Sequence, residues 1–160
     1  YIVVARPTSH PHGADQPAIR TALFATDRPV LLVPPNGSAS FGRIVAVAWR
    51  DDGHVVKAVL PALHLLTRAS RVHLLQGVRD GSASMAVPDV FRQHGIAAQT
   101  HVLAIGDGVF GQALLDQAPA LGADLLVMGA YGHNPLREML FGGVTRFMLE
   151  HADLPVLLRH

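Results

Sequence analysis

The chain contains no cysteine. That excludes disulfide cross-links, thiolate catalysis and cysteine-based zinc sites. Charge is scarce: 16% of residues are charged and the net charge is +1, with Lys and Arg scattered along the chain, so a nucleic-acid-binding surface is not indicated. No apolar run approaches the roughly 20 residues that span a bilayer. The histidines show no H-x-x-x-H or H-E-x-x-H spacing on one helix, and His10-Pro-His12 sits in a Pro/Gly-rich turn where solvation is the commoner fate. No nucleophile elbow and no general base in a hydrolytic setting are recognisable. The chain opens on Tyr1 with strand-like sequence rather than Met or a charged leader, which reads as a fragment of a cytoplasmic protein.

Apolar residues are abundant, at 49%, enough for a sizeable core in 160 residues. Arg43–Trp49, Arg71–Leu75, Ala98–Leu103 and Asp124–Met128 read as strands. They alternate with helical patterns over His54–Ala69, Ser84–His94, Val109–Leu121 and Val144–His151. Pro61 is expected to kink or restart the first of these helices, Asp107 to cap the third, and Gly122 to end it. Continuous rather than alternating apolar strands in the order βαβαβαβαβ predict a parallel sheet covered on both faces. A ligand is then expected beyond the carboxyl ends of the strands, at the rims of Arg43–Trp49 and Asp124–Gly129.

One stretch stands out at that rim. Gly129-Ala-Tyr-Gly132 closes a strand, nine residues follow, and Gly142-Gly143-Val-Thr145 opens a helix. Glycines let the backbone approach an anion, and the N–H groups of a helix start point at it. The stretch is neither a P-loop nor a G-x-G-x-x-G site. His133 and Arg137 supply positive charge there, or serve as a solvated turn residue and a surface charge. The Thr145 hydroxyl can donate to a phosphate or cap its own helix.

These residues resemble the universal stress protein family, whose nucleotide-binding members carry Gly-x-x-Gly, nine residues, then Gly-Ser/Thr after the fourth strand. Gly129, Gly132 and Gly142 fit, and Gly143 stands where Ser or Thr is usual. The likeness runs from about Phe41 to His160, through Leu136-Arg137-Glu138 and the closing Pro155-Val-Leu-Leu158. It implies a five-stranded parallel, Rossmann-like α/β sheet of the adenine nucleotide α-hydrolase type, with helices on both faces.

The resemblance also implies a regulatory stress-response protein that binds an adenine nucleotide, ATP with or without Mg²⁺, and has no efficient enzymatic activity. Its phosphate site would be Gly129, Gly132, His133, Arg137, Gly142, Gly143, Val144 and Thr145. Its adenine and ribose pocket would be Ala48, Trp49, Arg50, Gly77, Val78 and Met128. At the first strand end the family's Asp is replaced by Arg50, which has only hydrogen-bond donors, with Asp51 and Asp52 following. Trp49 either stacks on a base or packs at the domain edge, and Gly77 is expected to widen the pocket. The alternative reading is an interaction module of the same fold that binds no nucleotide.

The start of the chain echoes its end. Tyr1–Pro7, Ala14–Thr26 and Pro29–Val33 follow the strand–helix–strand order of Leu125–Gly129, Gly143–His151 and Pro155–Arg159, and Pro-Val-Leu-Leu recurs at 29 and 155. Residues 1–34 therefore read as the remnant of a degenerate first repeat, 35–40 as a linker and 41–160 as a complete domain. Ala5 and Thr8 replace the phosphate glycines in the first copy. Both closing strands are expected at sheet edges, pairing with each other in a pseudo-dimer or with copies in a homodimer. A proline at Leu157 is expected to remove a ladder N–H from that seam.

Overall fold

The computed structural model describes residues 1–6, 15–50, 53–78, 85–105, 109–130 and 143–160. In chain order the elements are β1 (Ile2–Ala5), α1 (Asp15–Ala25), β2 (Val30–Val33), β3 (Ile44–Trp49), α2 (Gly53–Leu66) and β4 (Arg71–Val78). They continue with α3 (Asp89–Gln93), β5 (Ala98–Ala104), α4 (Phe110–Ala120), β6 (Leu125–Gly129), α5 (Val144–His151) and β7 (Val156–Arg159).

The seven strands form one sheet in the order β1-β2-β7-β6-β3-β4-β5. Every neighbouring pair is parallel except β2 and β7. The five strands β3 to β7 make the parallel, doubly wound sheet expected for residues 41–160. The sheet does not stop at five, however. β2 adds antiparallel to β7, with Val30 opposite Leu158, Leu31 opposite Leu157 and Leu32 opposite Val156. Two apolar strands whose outer backbone groups would otherwise face water satisfy each other. The closing strands thus pair within one chain.

The register corrects one expectation. The Pro155 and Arg159 carbonyls accept from Leu126 and Ala130 of the β6 side. Strand alternation therefore turns Leu157 towards β6, and the amides of Val156 and Leu158 towards β2. A proline at Leu157 would break the β6–β7 ladder rather than the β2–β7 seam.

Continuous apolar strands bury both of their faces. On one face Ala46, Ala48, Leu126, Met128, Val156 and Leu158 pack under α1, α4 and α5. On the other, Val45, Val47, Trp49, Leu74, Val127 and Leu157 pack under α2 and α3. Ion pairs join the first and last elements: Arg159 bonds the Asp27 carboxylate at 2.7 Å, and Arg6 bonds Asp153 at 3.3 Å.

Three element boundaries differ from the sequence reading. α2 is continuous from Gly53 to Leu66 with Pro61 inside it, so the helix does not restart there. Val59 and Ala62, on either side of Pro61, share one buried face. β4 extends to Val78 because β5 pairs with it along its whole length, to Val78 opposite Ala104. α3 begins only at Asp89, after Pro88 at the N-cap. A proline lacks the N–H and holds the residue before it in extended backbone, so the helix starts behind it. Gly122, at φ +74°, follows α4 and ends it as expected, while Asp107 lies outside the described residues. Among the described residues no helix is long and apolar enough to cross a membrane.

Candidate functional site

β3 is the point at which the sheet winds both ways: β4 lies on one side of it and β6 on the other. The carboxyl ends of β3 and β6 stand side by side, fixed by Val45 opposite Leu125 and Val47 opposite Val127. A crevice beyond such a switch point is where doubly wound sheets receive ligands. β6 ends on half-buried Gly129, and the buried Ala130 behind it donates its N–H to the Arg159 carbonyl at 2.7 Å.

The helix that starts at this end of the sheet is α5, because it joins the parallel strands β6 and β7. Its N-cap is Gly143, in extended backbone (φ −73°, ψ 173°), and no side chain caps the helix. Val144 is its first residue and packs against the core. Thr145 is buried beside Met148 and Leu149. The cap position belongs to Gly143, so Thr145 does not cap its own helix. The first-turn N–H groups of α5 have no partner of their own within the helix, and the helix dipole adds positive potential there. Gly132, His133, Arg137, Gly142, Asp51 and Asp52 lie outside the described residues, as do His10 and His12.

The expected base pocket is divided by the pleat. Ala48 and Met128 lie together on the α4–α5 face, both buried in one cluster. Trp49, the next residue along β3, points to the opposite face. Its ring packs edge-on against Phe91, with centroids 5.5 Å apart and planes at 71°. It is a core residue of the α2–α3 face rather than a rim residue. Arg50 follows β3 directly and is exposed at the rim.

Gly77 does not widen a pocket. A Cβ there would stand 2.5 Å from Cδ1 of Ile105 and 2.6 Å from the Phe110 ring, so those side chains already fill the space. The N–H of Ile105 donates to the carbonyl of half-buried Val78 at 3.0 Å, which ties the residue after β5 to the end of β4. Ile105 and Phe110 are thus rim residues that the sequence did not reveal. Only the tertiary contact with a glycine brings them to notice.

A second unforeseen feature is a histidine pair. His73 on β4 and His101 on β5 place Nδ1 and Nε2 3.0 Å apart, with ring centroids 5.0 Å apart. His73 is buried, and its Nε2 has no hydrogen-bond partner. Burial pushes the His73 imidazole below its ordinary pKa, and the neighbouring His101 and then Arg71 push it the same way. Helical spacing rules do not detect such a pair, because it forms diagonally across two parallel strands. Among the described residues no group of three or more His, Asp or Glu side chains is placed to hold a metal ion.

A doubly wound parallel sheet, with a glycine at the end of the strand beside the switch point and helices on both faces, defines a Rossmann-like α/β fold. The sequence profile of the Universal stress protein family matches residues 57–160, more than half of the chain. The chain belongs to that family. No curated protein matches the sequence.

Solved structures share the fold. A universal stress protein from Archaeoglobus fulgidus DSM 4304 aligns with a TM-score of 0.73 at 16% identity, over 99% of this chain and 59% of that one. Universal stress protein UspA from Lactobacillus plantarum aligns with a TM-score of 0.55 at 18% identity, over 76% of this chain and 99% of that one. A universal stress protein in complex with cAMP aligns with a TM-score of 0.57 at 19% identity, over 74% of this chain and 96% of that one. The chain therefore spans 59% of the length of the Archaeoglobus protein.

Proposed function

We propose that this chain is a regulatory stress-response protein that binds an adenine nucleotide, ATP, at the rim between β3 and β6. The observation that carries the proposal is the start of α5: Gly143 is an N-cap without a side-chain cap, and the helix joins the parallel strands β6 and β7, so it starts at the carboxyl-end side of the sheet. The phosphates would lie on the N–H groups of Gly143 to Thr145, and Mg²⁺ would accompany them as a phosphate-bound ion. Gly132, His133, Arg137 and Gly142 belong to the same proposed site. The related universal stress protein in complex with cAMP supports an adenine nucleotide as the ligand class. Without a residue in the setting of a general base, turnover of ATP falls far below a typical enzyme rate of about 10 per second. The division into residues 1–34, 35–40 and 41–160, the pseudo-dimeric pairing of two repeats and a cytoplasmic location belong to the same reading.

Specific observations favour a second reading, an interaction module of this fold without a nucleotide. Arg50 brings only donors to the place where the base or ribose needs an acceptor. Trp49 is committed to the core, and Phe110 fills the space beside Gly77. Calorimetric titration of the purified chain with ATP and with cAMP decides between the two. Binding that is weakened by Gly132→Val supports the nucleotide site. Absence of heat with both ligands leaves the interaction module.

A further inference from the structure

β5 stands at one end of the sheet. β4 lies on one side of it, and among the described residues no strand lies on the other. A single hydrogen bond shows which backbone groups are free. Ile105 donates its N–H to the Val78 carbonyl, across to β4, at 3.0 Å. Backbone groups alternate along a strand, so Leu103, His101 and Gln99 also turn theirs to β4. Ala98, Thr100, Val102 and Ala104 turn their N–H and C=O groups outward. Val102 is 39% exposed at this edge.

Edges of this kind are ordinarily guarded by lysine, proline, a bulge or an inward-pointing charge. Ala98-Gln-Thr-His-Val-Leu-Ala104 contains no lysine, arginine, acidic residue or proline. Its register with β4 runs without a bulge from Ala98 to Ala104. Elsewhere in the sheet two uncovered apolar strands solve this problem by meeting antiparallel, β2 on β7 about Leu31 and Leu157.

β5 is complementary to itself in the same sense. A twofold axis through His101 sets Ala98 opposite Ala104 of a second copy, and Thr100 opposite Val102. All of these residues turn their backbone groups outward, so each facing pair exchanges both of its hydrogen bonds. A shift of one residue sets outward groups against inward ones. A shift of two leaves an outward residue of the strand without a partner. The side chains suit the same register. Ala98 packs on the α2–α3 face, and alternation puts Thr100 and Val102 there too, where they form a cross-strand β-branched pair. On the opposite face His101 meets its own copy at the axis, where His73 already holds its ring at 3.0 Å. No charged residue of the strand meets a like charge.

We propose that β5 is a homodimer interface, in which two copies join their sheets antiparallel through Ala98–Ala104 with the twofold axis at His101. The interface is separate from the β2–β7 seam and draws nothing from nucleotide binding.

Because the chain has no cysteine, an introduced thiol reports the register directly. Facing Cα atoms in a non-hydrogen-bonded antiparallel pair are about 4.5 Å apart, within the reach of a disulfide. His101→Cys should therefore give a covalent dimer under mild oxidation. Gln99→Cys should not link to itself, since the two copies of that position stand about 13 Å apart along the strands. It should link to Leu103→Cys when the two variants are mixed. Light scattering of the unmodified protein should show a dimer that dissociates on dilution, and the Thr100 and Val102 amides should exchange more slowly as concentration rises. Val102→Pro removes an outward N–H and no β4 ladder bond, and Val102→Lys guards the edge with charge while keeping the backbone intact. Both variants should be monomeric. Four results overturn the proposal: a monomeric mass at every concentration, a dimer whose Thr100 and Val102 amides exchange at the monomer's rate, Gln99→Cys cross-linking as fast as His101→Cys, or Val102→Lys dimerising like the parent.

Discussion

Gly111 of α4 lies directly against Phe147 of α5: a Cβ at Gly111 would stand 2.7 Å from Cδ1 of the ring and 3.0 Å from Cβ of Phe147. The two helices approach so closely only because one of them has no side chain there. The contact sets where α5 sits over the sheet, and hence where its first turn points.

Two opposing effects decide the outcome of Gly111→Ala. An alanine in a helix gains about 1 kcal/mol over glycine in propensity, whereas overpacking costs about 1–3 kcal/mol. Because the clash reaches Cβ of Phe147 and not only the ring tip, overpacking should win, with a net loss of about 1 kcal/mol in urea denaturation. A gain in stability would mean that α5 shifts freely.

Gly143→Asp separates folding from binding. Gly143 already has φ −73°, so any residue fits there, and an aspartate at an N-cap supplies a side-chain acceptor and complements the helix dipole. The variant should be roughly a few tenths of a kcal/mol more stable than the parent. The same carboxylate repels phosphate, so ATP affinity should fall by tenfold or more. A stabilised variant that binds ATP unchanged would place the phosphates elsewhere.

The His73–His101 pair gives stability a pH dependence of fixed sign. His73 is held below its ordinary pKa of 6.5 by burial first, then by His101 and Arg71. The unfolded chain therefore takes up the proton before the folded one does. Stability is complete above the ordinary imidazole range, declines as pH falls through it, and levels off below the folded pKa. His73→Leu should remove that part of the decline. Urea midpoints at about pH 7.5 and about pH 5 should lie closer together in the variant; equal spacing in both proteins would show that His73 does not titrate as a buried group.

The seam is tested from the β2 side. Leu32 is buried, and it stands opposite Val156 with its amide turned to β7. Leu32→Pro removes a ladder donor and part of a core side chain together. The amides of β1 and β2 should then exchange at nearly unfolded rates while β3 to β5 stay protected. Uniform loss of protection across the sheet would mean that the seam belongs to the same cooperative unit as the rest.

Much of this architecture is written in local pattern. The runs Ile44–Trp49 and Leu125–Gly129 are apolar throughout because both faces are buried, and the repeated Pro-Val-Leu-Leu marks the two strands that meet. Other features depend on contacts that no local pattern encodes. Pro88 outweighed the helical periodicity around it and delayed α3. A glycine at the end of a strand reads equally well as room for a ligand or as room for a neighbour, and at Gly77 the neighbour is Phe110. Trp49 and Ala48 are adjacent in sequence, and the pleat alone sends them to opposite faces.

The ion pair beside the seam joins Arg159 to Asp27, residues 132 positions apart. During synthesis β1, α1 and β2 leave the ribosome well before β7, the strand they need. While the residues between Val33 and Val156 are made, the apolar β2 edge waits without its partner, open to any other strand that reaches it. Closure of the sheet is therefore a late step in the birth of this fold, and a holdase bound near Val30–Val33 would have that interval in which to act.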